Sequence, residues 1–376
     1  MFAGLIGGLI LVVRPEWIGL HGHSSAPAAP GATVTIDPPA YLFPAIFFAI
    51  MWCALRASEH AEAIAIKLPD PFGTLVLTLS AVIIEVALVI GVMVTGDAAD
   101  TVARDTMFAT LMLILNGLVG LALIAGALRK REQPFNAQSS TSYLGVTAAL
   151  CTIGLVLPRF TTSEPGGYMS PQMNVFVAGA SVVVYGAFIF LQSSSHRDFF
   201  IIVREEAKSH LGHGDLAHAP LWKSITLLLS ALVAVVLLSE SLGHLLVGFL
   251  EKHFLPPALQ GVVIAFLVLL PEGIAAVRSA LRSDVQRTVN ILHGSALSTI
   301  GLTIPAVLLV AMLFGRSVEL GLEPPEICIL AATMILSMLH FGAGKSNMMQ
   351  GIVHATLFAV WIAVLMDPHR YISAVP

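Results

Sequence analysis

Charge is what this sequence has least of: Asp, Glu, Lys and Arg together make up 11% of its 376 residues, where a typical soluble domain carries roughly 25%. With 56% apolar residues and a mean hydropathy of +0.87, the shortage excludes a soluble globular protein and points to an integral membrane protein. Its standing partner is the lipid bilayer, not nucleic acid. Cysteine is almost as scarce. Cys53, Cys151 and Cys328 each lie inside an apolar run without CxxC spacing, which gives no disulfide or metal framework and leaves them as small hydrophobes. Two further strings are missing. No HExxH and no GxSG occurs, and His293-Gly294-Ser295 resembles the second only superficially, so an intramembrane hydrolase is the weaker alternative from another class. The N-terminal MFAGLIGGLILVVRPEW lacks a basic stretch before its apolar core and an AxA-like cleavage site. It reads as a short first helix, not a secretion signal.

What is present is a series of apolar runs of about twenty residues, the length an α-helix needs to cross some 30 Å of hydrocarbon. This favours a helical bundle over a barrel of alternating ten-residue strands. Pro, Gly and charge clusters divide the runs into about eleven transmembrane helices, near residues 1–20, 40–67, 71–96, 102–128, 141–160, 170–192, 221–250, 256–281, 285–314, 323–342 and 346–366. The expected fold is all-α. One polar interruption, residues 193–220, splits the chain near its centre. The expected units are an N-terminal helix (1–20), a five-helix repeat (40–192), a His-rich acidic loop (193–220) and a second five-helix repeat (221–366). An odd number of helices per half forces the halves into opposite orientations, the pattern of an inverted repeat with a substrate site at the midplane. Alternate loops differ about twofold in basic residues, which places the N-terminus and the central loop in the cytoplasm.

One acid breaks the apolar run from Pro71 to Gly96. Glu85 lies fourteen residues after Pro71, and in the second half Glu272 lies fifteen after Pro257. At about 1.5 Å of rise per residue both carboxylates fall near mid-bilayer. An ionisable side chain there is costly, and marks a functional site by default. The Pro271-Glu272-Gly273 tripeptide predicts a broken or kinked helix at the second acid. The helices that follow offer Asn116 in the first half and Asn290, Ser295, Ser298 and Thr299 in the second. These serve equally well as ion ligands or as polar contacts between helices. Two acids with oxygen neighbours suit a hard cation such as Ca²⁺, which takes about six to eight oxygens.

Glu59, His60 and Glu62, near the cytoplasmic end of the second helix, form either a polar helix end or an ion-attracting vestibule. His293, His340 and His354 lie within or near helices and serve either as polar contacts or as proton carriers. The central loop mixes His196, His210, His213 and His218 with acids, which reads first as a solvated linker.

The segments 60–99, 104–120, 270–305 and 344–359 resemble the bacterial calcium:proton antiporters of the Cha type, within the calcium:cation antiporter superfamily. The resemblance runs from about residue 40 to 366 and implies two inverted five-helix repeats after an extra helix. It implies that Glu85 and Glu272 bind the cation and protons in turn, with Ca²⁺, Na⁺, K⁺ and H⁺ as transported ions. The protein is then a secondary transporter and not an enzyme, in a bacterial inner membrane, with no permanently bound cofactor. A monovalent Na⁺ or K⁺:proton antiporter is the alternative within the family. The chain departs from the superfamily's GNxxE pattern. Val82 and Leu269 stand three residues before the acids, so such a site relies on backbone carbonyls, water and neighbouring hydroxyls.

Overall fold

A computed structural model describes residues 42–68, 72–95, 99–193 and 220–367. The expected first helix and nearly all of the central His-rich loop lie outside the described residues. Ten helices among the described residues are long and apolar enough to span a membrane. They are α1 (Leu42–Ala65), α2 (Phe72–Thr95), α3 (Val102–Ala127), α4 (Ala137–Phe160), α5 (Pro171–Ser193), α6 (Leu221–Lys252), α7 (Leu259–Leu281), α8 (Val285–Phe314), α9 (Pro324–Gly342) and α10 (Met348–Leu365).

Local chemistry sets their ends. Asn136 starts α4 by accepting hydrogen bonds from the Gln138 and Ser139 amides, so this helix begins four residues before its expected start. Side-chain satisfaction of the first amides is what an N-cap provides. Glu323 with Glu326 opens α9, and Asn347 with Gln350 opens α10, each as a reciprocal capping box. Gly315, at φ 61°, ends α8 in the left-handed conformation that glycine adopts without strain.

Three of the spans carry a π-helical turn: Leu113–Leu118 in α3, Thr152–Val156 in α4 and Thr299–Thr303 in α8. In α4 and α8 a proline follows closely, Pro158 and Pro305. Its missing N–H removes an i→i−4 bond, and the ladder widens just before it. Pro271 acts differently. The helix α7 runs unbroken from Leu259 to Leu281 with Pro271 inside it, so the expected break at Glu272 does not form.

Five helices precede the central segment and five follow it. Their contacts come in matched sets: α1 lies on α6 and α4 on α9, while α3–α7 is mirrored by α8–α2 and α3–α10 by α8–α5. That exchange of partners is what an inverted repeat with a two-fold axis in the membrane plane requires. Crossings are close where glycine permits. A Cβ on Gly91 would lie 2.5 Å from the Ser239 backbone of α6, and one on Gly261 2.5 Å from the Asp105 backbone of α3. Large apolar side chains such as Phe176, Phe190, Trp222 and Phe314 are exposed on the outer surface, as lipid-facing residues are.

The two ends of the bundle are tied differently. At one, Arg104 donates to Asp105 at 2.9 Å and to Glu319 at 2.5 Å, while Tyr168 donates to Asp100 at 3.0 Å. At the other, residues 133–134 and 345–346 form a two-residue antiparallel ladder that joins the α3–α4 and α9–α10 loops.

Candidate functional site

The acid of α2 is deeply enclosed: Glu85 is 1% exposed. Thr303, in the π turn of α8, donates a hydrogen bond to its Oε2 at 2.9 Å, and Thr299, four residues earlier and so on the same side of the helix, is close enough to act on this carboxylate. Glu272 of α7 is half-buried and close enough to Glu85 for their charges to repel. Its Oε2 and the Oε1 of Glu85 are buried without a hydrogen-bond partner. Two orphaned carboxylate oxygens from opposite halves of the chain form a place that is costly unless a proton or a cation fills it.

The expected neighbours separate into groups. Thr299 joins the acids. Asn116 does not: its amide donates to Thr333 of α9 at 2.8 Å, and its Oδ1 faces His354 Nδ1 of α10 at 3.1 Å. The Asn290 carbonyl oxygen accepts from Ser139 of α4 at 3.3 Å and from Gln286 at 2.9 Å. Both asparagines thus act in contacts between helices, which competes with ion ligation. Ser298 donates to the Ser295 carbonyl within its own helix at 3.0 Å. Val82 and Leu269 are buried and apolar, and add no side-chain oxygen.

Near the end of α1, Glu59 pairs with Arg56, and His60 is buried with Nδ1 unpartnered. Glu62 is close enough for its charge to act on Glu272 and to feel Glu59 and Arg287. Thr303 is the residue that sequence reasoning missed. The available signal was its four-residue spacing from Thr299 and its place two residues before Pro305.

Among the described residues no group of three or more His, Cys, Asp or Glu side chains forms a metal-binding cluster. A cation here would be held by two carboxylates, hydroxyls, backbone and water. It would be cargo, not a resident cofactor.

Comparison with known proteins identifies the family. The chain is 39% identical to the y4hA protein of Sinorhizobium fredii, over 82% of this chain and 84% of that one. It is 34% identical to the sodium-potassium/proton antiporter ChaA of Escherichia coli, over 84% and 86% of the two chains. The fold matches a solved Ca²⁺/H⁺ antiporter, YfkE, with a TM-score of 0.70 at 16% identity, covering 97% of this chain and 99% of that one. The sequence profile of the sodium/calcium exchanger protein family covers residues 39–194 and 223–366, so the chain belongs to that family of membrane cation exchangers, which are secondary transporters and not enzymes.

Proposed function

We propose that the protein exchanges a cytoplasmic cation, Ca²⁺ and also Na⁺ or K⁺, for external protons by alternating access to a midplane site built on Glu85 and Glu272. One observation carries this reading: two buried carboxylate oxygens without partners, on helices from opposite repeats. Two such acids in a poorly solvated pocket cannot both stay ionised at low cost. A cation entering the pair displaces protons, and protons entering displace the cation. Coupled exchange follows if the protein changes face only when the pair is neutralised.

The end bearing Glu59 and Glu62 faces the cytoplasm of a bacterial inner membrane, on the strength of its more basic loops. Its carboxylates concentrate cations at the entrance. Glu85→Gln and Glu272→Gln should each abolish cation-driven proton flux in everted vesicles. Full activity in either variant removes the mechanism.

A second reading, a monovalent cation:proton antiporter, is favoured by Val82 and Leu269. They leave the carboxylates of Glu85 and Glu272 and the hydroxyls of Thr299 and Thr303 as the side-chain oxygen donors at the acids, which reaches only the lower bound of the about six to eight oxygens of Ca²⁺, and only if both carboxylates bind through both oxygens. The Escherichia coli relative, a sodium-potassium/proton antiporter by name, is consistent with it. Adding Ca²⁺, Na⁺ and K⁺ in turn to the same vesicles ranks the ions.

A further inference from the structure

Away from the acids, a directed chain of polar groups runs through the contact of α3, α9 and α10. His340 Nδ1 lies 3.2 Å from His354 Nε2, His354 Nδ1 lies 3.1 Å from Asn116 Oδ1, and Asn116 Nδ2 donates to Thr333 Oγ1 at 2.8 Å. The amide fixes the proton positions. Its oxygen accepts, so His354 carries its hydrogen on Nδ1, and Nε2 is left to accept from His340 Nδ1–H. His354 is 0% exposed, whereas His340, in the last turn of α9, is partly exposed at the end assigned to the cytoplasm. A proton arriving on the outer nitrogen of His340 can pass to His354. It goes no further, because the next group is an amide oxygen, which does not take up a proton near neutral pH. The chain therefore holds a proton but does not conduct one to the acids.

We propose that His340 and His354 form a proton-binding site separate from the transport site, through which protons on the cytoplasmic side slow the exchange. The surroundings set the sign. The titratable group facing the pair from α8 is His293, edge-on to Phe341 with ring centroids 4.5 Å apart. From α3 come Asn116 and Met112, from α4 Thr141 against Gly342, and from α9 Thr333 and Phe341. Lys345 and Glu132 at this end are exposed and lie 3.8 Å from each other. Among the described residues no carboxylate faces either ring. A proton on the pair is thus a buried positive charge with no counter-ion, and it is relieved only by admitting water between α9, α10 and α3.

That opening reaches the site through α3. Asn116 sits in the π turn Leu113–Leu118, and Leu118 packs against Gly273, beside Glu272, so closely that a Cβ there would be 3.0 Å from Leu118 Cδ2. Protonation by itself leaves His354 Nδ1–H on the Asn116 oxygen; the contact gives way where the admitted water takes that oxygen, and this turn beside the acid is then freed. Resting on the antiport reading, the device makes chemical sense: protons are what the exchange delivers to the cytoplasm, and their accumulation there turns it down.

Two measurements test it. In everted vesicles, whose outer face is the cytoplasmic one, His340→Gln should keep about threefold more of its rate at about pH 5, relative to about pH 7.5, than the unsubstituted protein keeps, since burial without a counter-ion moves the titration of an imidazole below its ordinary value of about 6.5. Its cation KM at the higher pH and its proton:cation ratio should not change. Superimposable profiles overturn the proposal, as does loss of exchange at every pH, which would make the pair part of the proton path. The second measurement needs no transport. The thermal-unfolding midpoint of the purified protein should fall between about pH 7.5 and 5 less steeply in His340→Gln than in the unsubstituted protein. Equal pH dependence overturns the proton site; a difference without any measurable exchange keeps the site and removes the antiport reading instead.

Discussion

Thr303 of α8 donates a hydrogen bond of 2.9 Å to Glu85 of α2, joining residues 218 positions apart in the chain. This bond makes the two acids unequal, because Glu85 is gripped from the opposite repeat by a side-chain hydroxyl, although each acid keeps one buried oxygen without a partner. The widening of α8 ahead of Pro305 falls where Thr303 meets this carboxylate, so a backbone irregularity at membrane depth lines a polar site instead of meeting lipid.

Thr303→Val removes the donor at nearly constant volume and leaves the Glu85 oxygen unpaired. Loss of one partner of a buried hydrogen bond costs about 1–3 kcal/mol, which corresponds to roughly a five- to hundredfold weaker cation affinity if the bond orients the acid. Thr303→Ser should restore most of it. The cation dependence of proton flux in vesicles measures both. An unchanged KM in the valine variant would show that the bond only packs helices.

Gly261→Ala should cost far more than an ordinary helix substitution. The new methyl would meet the Asp105 backbone at 2.5 Å, and backbone cannot step aside as a side chain can, so α7 would be driven off α3 at a cost of about 1–3 kcal/mol or more. Gly179→Ala is the control, with nothing within 4 Å of its added Cβ, and should be neutral or slightly stabilising by helix propensity. Thermal unfolding in detergent separates the two.

The acids were legible because hydrocarbon makes them conspicuous. In Leu75–Met93, which lacks any other charged residue, Glu85 announces itself, and a matching Glu272 in the second half follows from composition alone. The ten helices expected after the first were legible for the same reason: apolar length is dictated by the bilayer, and α8 spans 285–314 as its sequence predicts, although α4 begins four residues early. What the sequence hid was which polar side chain faces which. Asn116 and Thr299 look alike as isolated polar residues in apolar helices. Only packing shows that the first is engaged by His354 and Thr333, and the second by Glu85. Pro271 settled less than it suggested: of the break or kink it predicts, the break does not form, because a proline removes one hydrogen bond without having to end a helix.

Arg104→Met should destabilise the fold more than removal of either of its partners. Arg104 is 7% exposed and is shared by Asp105 and Glu319. Burial pushes the Glu319 carboxyl above its usual range, while Arg104 and Arg159 pull it back. Taking away the cation strands two enclosed acids, and a broken buried pair costs about 3–5 kcal/mol. Arg104→Lys should recover only part of this, since a single ammonium cannot span both acids as the guanidinium fork does. Thermal midpoints of the three proteins decide it.

The loop contact of Tyr168 predicts an alkaline dependence of stability at the same end of the bundle. Burial and its hydrogen bond to Asp100 push the Tyr168 hydroxyl up to about 12, against about 10 for an unfolded tyrosine. A raised value means that the folded state holds this proton more tightly. The contribution is therefore complete below about pH 10 and is lost as the pH rises from about 10 through 12. Tyr168→Phe lacks the donor and has no such contribution. The thermal midpoint should be lower in the variant at about pH 8, and the gap should close by about pH 12. The remaining tyrosines are present in both proteins and cancel in the comparison. A gap that stays constant across this range would mean that the hydroxyl contributes by packing and not through the proton it shares with Asp100.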